Sequence, residues 1–288
     1  MSEVFFGPAG NSDSFKQRYK SFVDIPRYIA EMGLNAFEYQ FGRGVRMKSD
    51  QAKVLKTECE KYGVEMSAHA PYYISFASGE EEKRLNSVRY MLETAEAVTA
   101  MGGRRFVVHC GSVGKRERQD AVALAKETLL LGLMALDEAG FSNVIVCPET
   151  MGKKNQLGSL EEVIYFCESD ERLIPCIDFG HLNARSNGGI KTKEDYAAIL
   201  DMLENNLGKA RTKLMHAHFS KIEYTAMGEK RHLTFEDCDF GPDPEPLMQL
   251  IAERGYSPRF ICESDGTQSE DAAMMQKMFG AAKQMMKG

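Results

Sequence analysis

Several features that define large classes of protein are missing from this sequence. It has no tryptophan and no CxxC pair, and no apolar run approaches the ~20 residues that cross a bilayer. Its start, MSEVFFGPAG, lacks a charged segment followed by a long apolar run, which is the pattern of a signal peptide. We therefore expect a soluble, cytoplasmic chain that does not associate with membranes.

Two further absences argue against particular classes of function. The first predicted strand leads into GPAGNSDS, which has neither the GxGxxG spacing of dinucleotide-binding proteins nor the lysine of a P-loop. The net charge of −6 and the pI of about 5.7 argue weakly against a general polyanion binder. A local basic track on one face is still compatible with that charge.

The cysteines indicate a reducing compartment. Their number is odd, and several lie in apolar runs such as VVHCG and VIVCPE, where cysteine is usually a small buried apolar residue. We predict mostly buried, free thiols among Cys59, Cys110, Cys147, Cys167, Cys176, Cys238 and Cys262.

Short apolar runs alternate with longer amphipathic ones along the chain. The apolar runs predict eight strands: EVFFGP, AFEYQF, EMSAHAP, RFVVHCG, NVIVCPE, IPCIDFG, KLMHAHFS and RFICES. Helices are predicted over 24–33, 48–62, 80–101, 117–139, 159–169, 193–206, 243–254 and 269–286. This alternation predicts an α/β fold, a single (β/α)8 TIM-barrel domain over 1–288, with an open doubly wound sheet as the rival. The longest segment predicted to be irregular is 221–242.

Residue types that bind metals gather where the predicted strands end. In a TIM barrel these carboxyl ends lie at one face, where the active sites of the fold are found. Six consecutive strands deliver imidazole or carboxylate groups there, a donor set that favours Zn²⁺, Mn²⁺ or Fe²⁺ over a structural cysteine site. The residues are His69, His109, Glu149, Asp178, His181, His216, His218 and Glu263.

Each position alone has a simpler explanation. A single histidine at a strand end is more often a satisfied polar residue than a ligand, and a single carboxylate often caps the next helix. The joint pattern does not fit this explanation, because five of the six histidines lie at or within three residues of a predicted strand end. The sixth, His232, lies in the long segment above the same face. We therefore predict a metal site at the barrel mouth.

The ordered series resembles the endonuclease IV family of apurinic/apyrimidinic endonucleases, within the wider xylose isomerase-like barrel pattern. The resemblance spans the chain through FGPAG, HAPYYISFAS, VVHCGS, CPET, CIDFGH, MHAHFS and CES. Its most specific parts are HAPYYI and the D-x-x-H of Asp178 and His181. It implies a hydrolase that cleaves the phosphodiester 5′ to abasic sites in double-stranded DNA during base excision repair. No protein partner can be inferred from it.

The resemblance also implies two or three Zn²⁺ ions at the barrel mouth, with Mn²⁺ or Fe²⁺ as alternatives. Glu149 would bridge the first two ions, and Glu149 and Glu263 are the implied catalytic residues. Carried over by position, the ligands are His69, His109 and Glu149 for one ion; Glu149, Asp178, His216 and Glu263 for the second; and His181 with His232 for the third.

DNA contacts are implied for the loops after the second and third strands. Tyr72 and Tyr73 match positions that wedge into the duplex at the lesion, and ordinary rim packing is the simpler alternative. Arg43, in QFGRGV, is a candidate for phosphate contact or a solvated loop charge. Lys115, Arg116 and Arg118 add charge after the fourth strand, which is most often a solvated face.

The segment of the third ion departs from the family pattern. The family has Asp-Arg-His there, but Lys230 replaces the aspartate, and a protonated lysine cannot bind a cation. Glu229 is the nearest replacement, and Glu236 and Asp237 are further options. Either the third ion has an altered ligand set or that site is lost.

The seventh strand departs from the pattern as well. His216 and His218 face the same way, because side chains alternate along a strand. The family usually has an amide at the second of these positions and an aspartate next to it, where this chain has Phe219. We predict His216 as the ligand and leave His218 undecided between an extra ligand, a phosphate donor and a supporting group.

Three functions therefore stay open. The first is the metal-dependent abasic-site endonuclease. The second is a single-metal sugar isomerase or epimerase of the same superfamily, which the acidic pI and the missing third-site aspartate favour. The third is a non-catalytic, metal-bearing protein that binds damaged DNA or a partner. His69, His109 and the HAPYY stretch favour the endonuclease.

Overall fold

Eight short parallel strands form the centre of the computed structural model, which describes residues 3–286. They are β1 (Phe5–Pro8), β2 (Ala36–Gln40), β3 (Glu65–His69), β4 (Arg105–Val108), β5 (Ile145–Pro148), β6 (Cys176–Asp178), β7 (His216–Phe219) and β10 (Arg259–Cys262). Two further strands, β8 (Lys221–Thr225) and β9 (Gly228–Leu233), form a separate two-stranded sheet. Each of the eight predicted strands is confirmed inside its predicted run.

The eight parallel strands close into a barrel. They pair as two four-stranded sheets, in the orders β1-β10-β7-β6 and β2-β3-β4-β5. Single parallel bridges between Ala9 and Glu38, and between Glu149 and Cys176, join the sheets at both edges. The (β/α)8 prediction is therefore confirmed. The doubly wound alternative is wrong, because an open sheet keeps two unpaired edges.

The helices form the layer around the barrel. Their bounds are α1 (Asp13–Arg18), α2 (Ile25–Glu31), α3 (Ser49–Tyr62), α4 (Glu81–Ala100), α5 (Arg118–Glu138), α6 (Leu160–Cys167), α7 (Phe179–Arg185), α8 (Lys193–Leu207), α9 (Lys209–Lys213), α10 (Pro244–Arg254) and α11 (Gln268–Met285), with a 3-10 turn at Phe22–Asp24. The eight predicted helices are confirmed to within two residues at each end. The additional helices α1, α7 and α9 are too short to show an amphipathic period.

The alternation of side chains along the strands separates the core outside the barrel from its interior. Phe106 and Val108 belong to the large cluster that packs the helices onto the barrel. Val107, between them, belongs to a small cluster with Cys147 and Cys176. The barrel interior also contains fully buried polar residues, which include Glu38, Ser67, His216 and His218. Polar and ionisable side chains inside the barrel are compatible with a site for charged ligands at its mouth.

The segment 221–242 contains regular structure, so the prediction of an irregular segment there is wrong. Residues 221–233 form the β8–β9 hairpin, which packs over α7. Gly228 lies against the loop after β5, where the Glu229 N–H donates to the Gly152 carbonyl at 3.2 Å. The hairpin therefore lies on the barrel mouth.

The prediction of buried thiols is confirmed at six of the seven cysteines, and Cys238 is exposed. Within residues 3–286 no helix has the length and apolar character needed to cross a membrane.

A Gly7→Ala substitution should test the closure of the barrel. The added Cβ would collide with the Ala36 carbonyl on the neighbouring strand, so strand β1 or β2 would have to shift. We expect a loss of about 1–3 kcal/mol in the free energy of unfolding, measured by chemical denaturation. Gly280→Ala is the control, because that helical position is open and should be neutral or gain up to about 1 kcal/mol. Equal stability of the two variants would contradict the closed barrel.

Candidate metal centre

The carboxyl ends of the barrel strands surround one cavity of about 560 Å³. Its lining includes six of the predicted ligands, most of them far apart in the sequence: His69, His109, His181, Glu229, His232 and Glu263. The topology therefore brings these side chains to one face.

The first group of candidate ligands joins β3, β4 and β5. His69 Nε2 lies 3.2 Å and His109 Nε2 lies 3.0 Å from Glu149 Oε2. His69 Nδ1 lies 2.8 Å from the Ala70 carbonyl, to which it can donate while Nε2 faces the carboxylate. A backbone carbonyl behind the outer nitrogen is typical of histidines that bind metals. The potential ligand atoms of His69, His109 and Glu149 lie within 4.8 Å of one another.

The second group shares Glu149 with the first and adds Asp178, His218 and Glu263. His218 Nδ1 lies 2.7 Å from Glu149 Oε1 and 3.5 Å from Glu263 Oε1. Asp178 Oδ1 caps α7 by accepting from the His181 N–H at 2.7 Å. Its Oδ2 is buried and accepts no hydrogen bond, and it lies 3.2 Å from His181 Nδ1. A bound cation would satisfy this oxygen more fully, because a buried carboxylate oxygen without a hydrogen bond is costly.

His216 is not part of the second group, in contrast to the prediction. Strand register places His218 level with Asp178 on β6, whereas His216 is level with Cys176, one layer deeper in the barrel. The geometry therefore favours His218 as the candidate ligand. The potential ligand atoms of Cys176, His216 and His218 also lie within 4.8 Å of one another. Cys176 and His216 of this trio lie one layer deeper than the second group, and all three residues are fully buried.

The third group is completed by the hairpin. His181 Nε2, on α7, lies 3.4 Å from Glu229 Oε2, and its Nδ1 lies 2.9 Å from the Thr150 carbonyl. The ring of His232 lies 5.4 Å from that of His181, and its Nδ1 is 2.8 Å from Ser220 Oγ. The potential ligand atoms of His181, Glu229 and His232 lie within 4.8 Å of one another.

A bulge in the hairpin makes the third group possible. Glu229 and His232 are three residues apart, so a regular strand would direct their side chains to opposite faces. The register shifts where Tyr224 pairs with Glu229, which leaves Lys230 as the extra residue. One inserted residue restores the phase and brings Glu229 and His232 to the same face.

Lys230 itself faces away from the mouth. Its ammonium group pairs with Glu223, which also pairs with Arg231 at 2.7 Å. Asp237 Oδ1 accepts from the backbone N–H groups of Asp239 and Phe240 at 3.0 Å, so this option for the third group caps a turn instead. Glu236, the other option, is exposed and lies outside the third group. The geometry places Glu229 where the family pattern has its aspartate.

The charges at the mouth suit a divalent cation. Burial would raise the pKa of Glu149, but His218 and His109 hold it well below its usual range. Burial would lower the pKa of His181, but Asp178 and Glu229 raise it to about 9. Carboxylates that hold protons on neighbouring imidazoles can hold metal ions instead, because metal binding displaces those protons. The donor set therefore fits Zn²⁺, Mn²⁺ or Fe²⁺.

Two exposed tyrosines lie beside the first group. Tyr72 is 60% and Tyr73 56% exposed, and the Tyr72 ring lies 5.6 Å from the rings of both His69 and His109. The Tyr72 N–H donates to the Gly42 carbonyl at 3.3 Å, which places the exposed Arg43 on the adjacent loop. Tyr72 is thus available to a ligand at the mouth, whereas the exposed Tyr73 ring lies 6.1 Å from that of Tyr90.

The basic residues after β4 divide into two kinds. Lys115 and Arg116 are exposed. Arg118 instead pairs with Glu162 at 2.6 Å and donates to the carbonyl of Gln156 at 3.0 Å. Arg118 therefore anchors the loop after β5 and is not free for phosphate contact.

Two residues near the centre were not identified from the sequence. Glu38 is fully buried, and its Oε1 lies 3.1 Å from His218 Nε2. A charged residue within the apolar run AFEYQF was the signal that could have revealed it. Lys153 lines the cavity from the loop after β5, but nothing in the local sequence distinguishes it from other loop lysines.

A Glu229→Ala substitution should remove one bound metal ion. The variant keeps His181 and His232 but loses the anionic ligand of the third group, so elemental analysis after dialysis should show about one equivalent fewer than in the wild-type protein. Lys230→Ala is the matched control on the same strand. It should keep the wild-type metal content, because Lys230 faces away from the mouth. Metal loss in the control alone would refute the assignment of Glu229.

Sequence and structure comparisons place the chain among proteins of this architecture. It is 36% identical over 278 residues to the uncharacterized protein MJ0133 of Methanocaldococcus jannaschii, covering 96% of this chain and 97% of that protein. It is 29% identical over 239 residues to a protein named "Probable endonuclease 4" from Streptomyces avermitilis, covering 79% of this chain and 74% of that protein.

Two solved structures share the fold across nearly the whole chain. A D-tagatose 3-epimerase-like protein matches with a TM-score of 0.73 at 18% identity, covering 99% of this chain and 98% of that chain. Endonuclease IV from Thermus thermophilus matches with a TM-score of 0.71 at 20% identity, covering 98% of this chain and 99% of that chain. The family model of the xylose isomerase-like TIM barrel matches residues 26–282. The chain therefore belongs to the xylose isomerase-like TIM barrel family.

Proposed function

We propose that the protein is a metal-dependent endonuclease that hydrolyses the phosphodiester 5′ to abasic sites in DNA, in base excision repair. One observation carries the proposal: Glu149 belongs to two adjacent ligand groups, and a third group lies beside them. Neighbouring divalent cations supply charge neutralisation for both the attacking and the leaving oxygen of a phosphodiester.

The chain's own residues would have distinct tasks in this reaction. Glu149 and Glu263 keep negative charge at the centre of the mouth, and Glu149 offers its two oxygens to different groups. The histidine-rich first and third groups favour Zn²⁺, and Mn²⁺ or Fe²⁺ also fits the imidazole and carboxylate donors. Asp178 combines two roles, since one oxygen caps α7 and the other faces the second group.

The surroundings of the mouth suit a damaged duplex. Tyr72 and Tyr73 present aromatic surface that can stack on bases next to a lesion, where unstacking costs least. Exposed cationic side chains lie on the loops after β2, β4 and β5, namely those of Arg43, Arg116 and Lys153. They can contact phosphates locally although the chain carries a net charge of −6.

A single-metal sugar isomerase or epimerase is the second candidate. It is favoured by the second group, because Glu149, Asp178, His218 and Glu263 form a complete ligand set without the other groups. Such an enzyme would use neither the third group nor the exposed tyrosines. A metal content of one equivalent, unchanged in the Glu229→Ala variant, would support it.

Incision of abasic DNA tests the proposed activity. With Zn²⁺ or Mn²⁺ added, the purified protein should cut a duplex that contains one abasic analogue and leave the undamaged duplex intact. Glu149→Gln should slow incision about 100-fold or more, because Glu149 joins two groups. Glu65→Gln, at the opposite end of the barrel, should keep the wild-type rate. Absence of incision above the Glu149→Gln background would exclude the endonuclease.

A further inference from the structure

A further buried carboxylate lies beneath the candidate metal ligands. Glu38, in the middle of β2, is fully buried inside the barrel, as are His216 and His218 on β7. Its two oxygens face different histidines: Oε2 lies 2.9 Å from His216 Nε2, and Oε1 lies 3.1 Å from His218 Nε2. His218 is therefore placed between two carboxylates, with Glu149 at its Nδ1 and Glu38 at its Nε2.

The environment of Glu38 keeps this carboxylate in place. Ser67 Oγ donates to Oε2 at 3.2 Å from β3, and Gln40 Nε2 donates to Oε1 at 3.1 Å from the same strand as Glu38. The rings of His216 and His218 face the same carboxylate from β7. Neither imidazole Nε2 is aligned for a hydrogen bond to it, and the contacts with His216 and His218 are therefore electrostatic.

His216 and His218 differ in whether a cation at the mouth can reach a ring nitrogen. His216 is level with Cys176 on the neighbouring strand, one layer deeper in the barrel than the second group. His218 reaches the second group only through Nδ1, because Nε2 faces Glu38. An anion beside Nε2 favours the tautomer with its proton on Nε2 and leaves the Nδ1 lone pair available. A carboxylate behind a ligating imidazole also raises its basicity.

We propose that Glu38 is a positioning residue of the metal centre, which presents His218 Nδ1 to the second ligand group through its contact with Nε2. Glu38 is not itself in the second group, and its contact with that group is through His218. The inference rests on the metal centre of the proposed function. It does not depend on the substrate, because an endonuclease and an epimerase would both use the second group.

The test measures metal binding directly, without DNA. Glu38→Gln keeps the shape of the side chain and removes its charge. Its affinity for Zn²⁺, measured by competition with a chromophoric chelator, should fall about 10–100-fold. The visible absorption spectrum of the Co²⁺-loaded protein should change as well, since that spectrum reports ligand geometry. Glu65→Gln, which carries the same change at an exposed carboxylate far from the mouth, should alter affinity by less than about twofold.

A second variant separates positioning from loss of folding. Glu38→Asp keeps the charge but moves it back from His218, so its affinity should lie between those of the wild-type protein and Glu38→Gln. Circular dichroism of the metal-free proteins identifies any variant that fails to fold. If Glu38→Gln fails to fold, Glu38→Asp alone must show the loss of affinity.

Wild-type affinity and an unchanged Co²⁺ spectrum in the folded variants would overturn the proposal, as would a wild-type protein that binds no divalent metal. Glu38-dependent binding without incision of abasic DNA would instead refute only the endonuclease.

Discussion

The arrangement at the barrel mouth depends on one buried carboxylate. Glu149 is fully buried, and imidazoles from β3, the β4 end and β7 approach it within 2.7–3.2 Å. An anion at this depth is costly unless cationic groups surround it. The barrel supplies them because the carboxyl ends of parallel strands converge at one face. This charge can be balanced either by protons on the histidines or by divalent cations. Bound divalent cations would also give the site a catalytic role.

The third group depends on a different constraint, the phase of a β-strand. A regular strand would separate Glu229 from His232, and the bulge at Lys230 brings them to the same face. Lys230 then pairs with Glu223 on the outside of the hairpin. The replacement of the family's aspartate by lysine is thus compatible with three ligand groups, because the adjacent glutamate takes the inward position.

Much of the fold could be predicted because the barrel strands are short apolar runs that alternate with longer amphipathic helices. The set of residues at the mouth could also be predicted, since parallel strands end together. The depth at which each side chain lies inside the barrel could not be predicted from the sequence. His216 and His218 have the same parity along β7, and only the register that sets His218 opposite Asp178 distinguishes them. The bulge at Lys230 was equally hidden, because it depends on pairing between β8 and β9 and not on local composition.

The central claim is that the mouth holds three cations around Glu149 and the hairpin. Anomalous diffraction at the zinc edge, from crystals grown with Zn²⁺, tests it most directly. We predict three peaks: one among His69, His109 and Glu149; one among Glu149, Asp178, His218 and Glu263; and one among His181, Glu229 and His232. A single peak confined to the second of these groups would contradict the account and favour sugar chemistry.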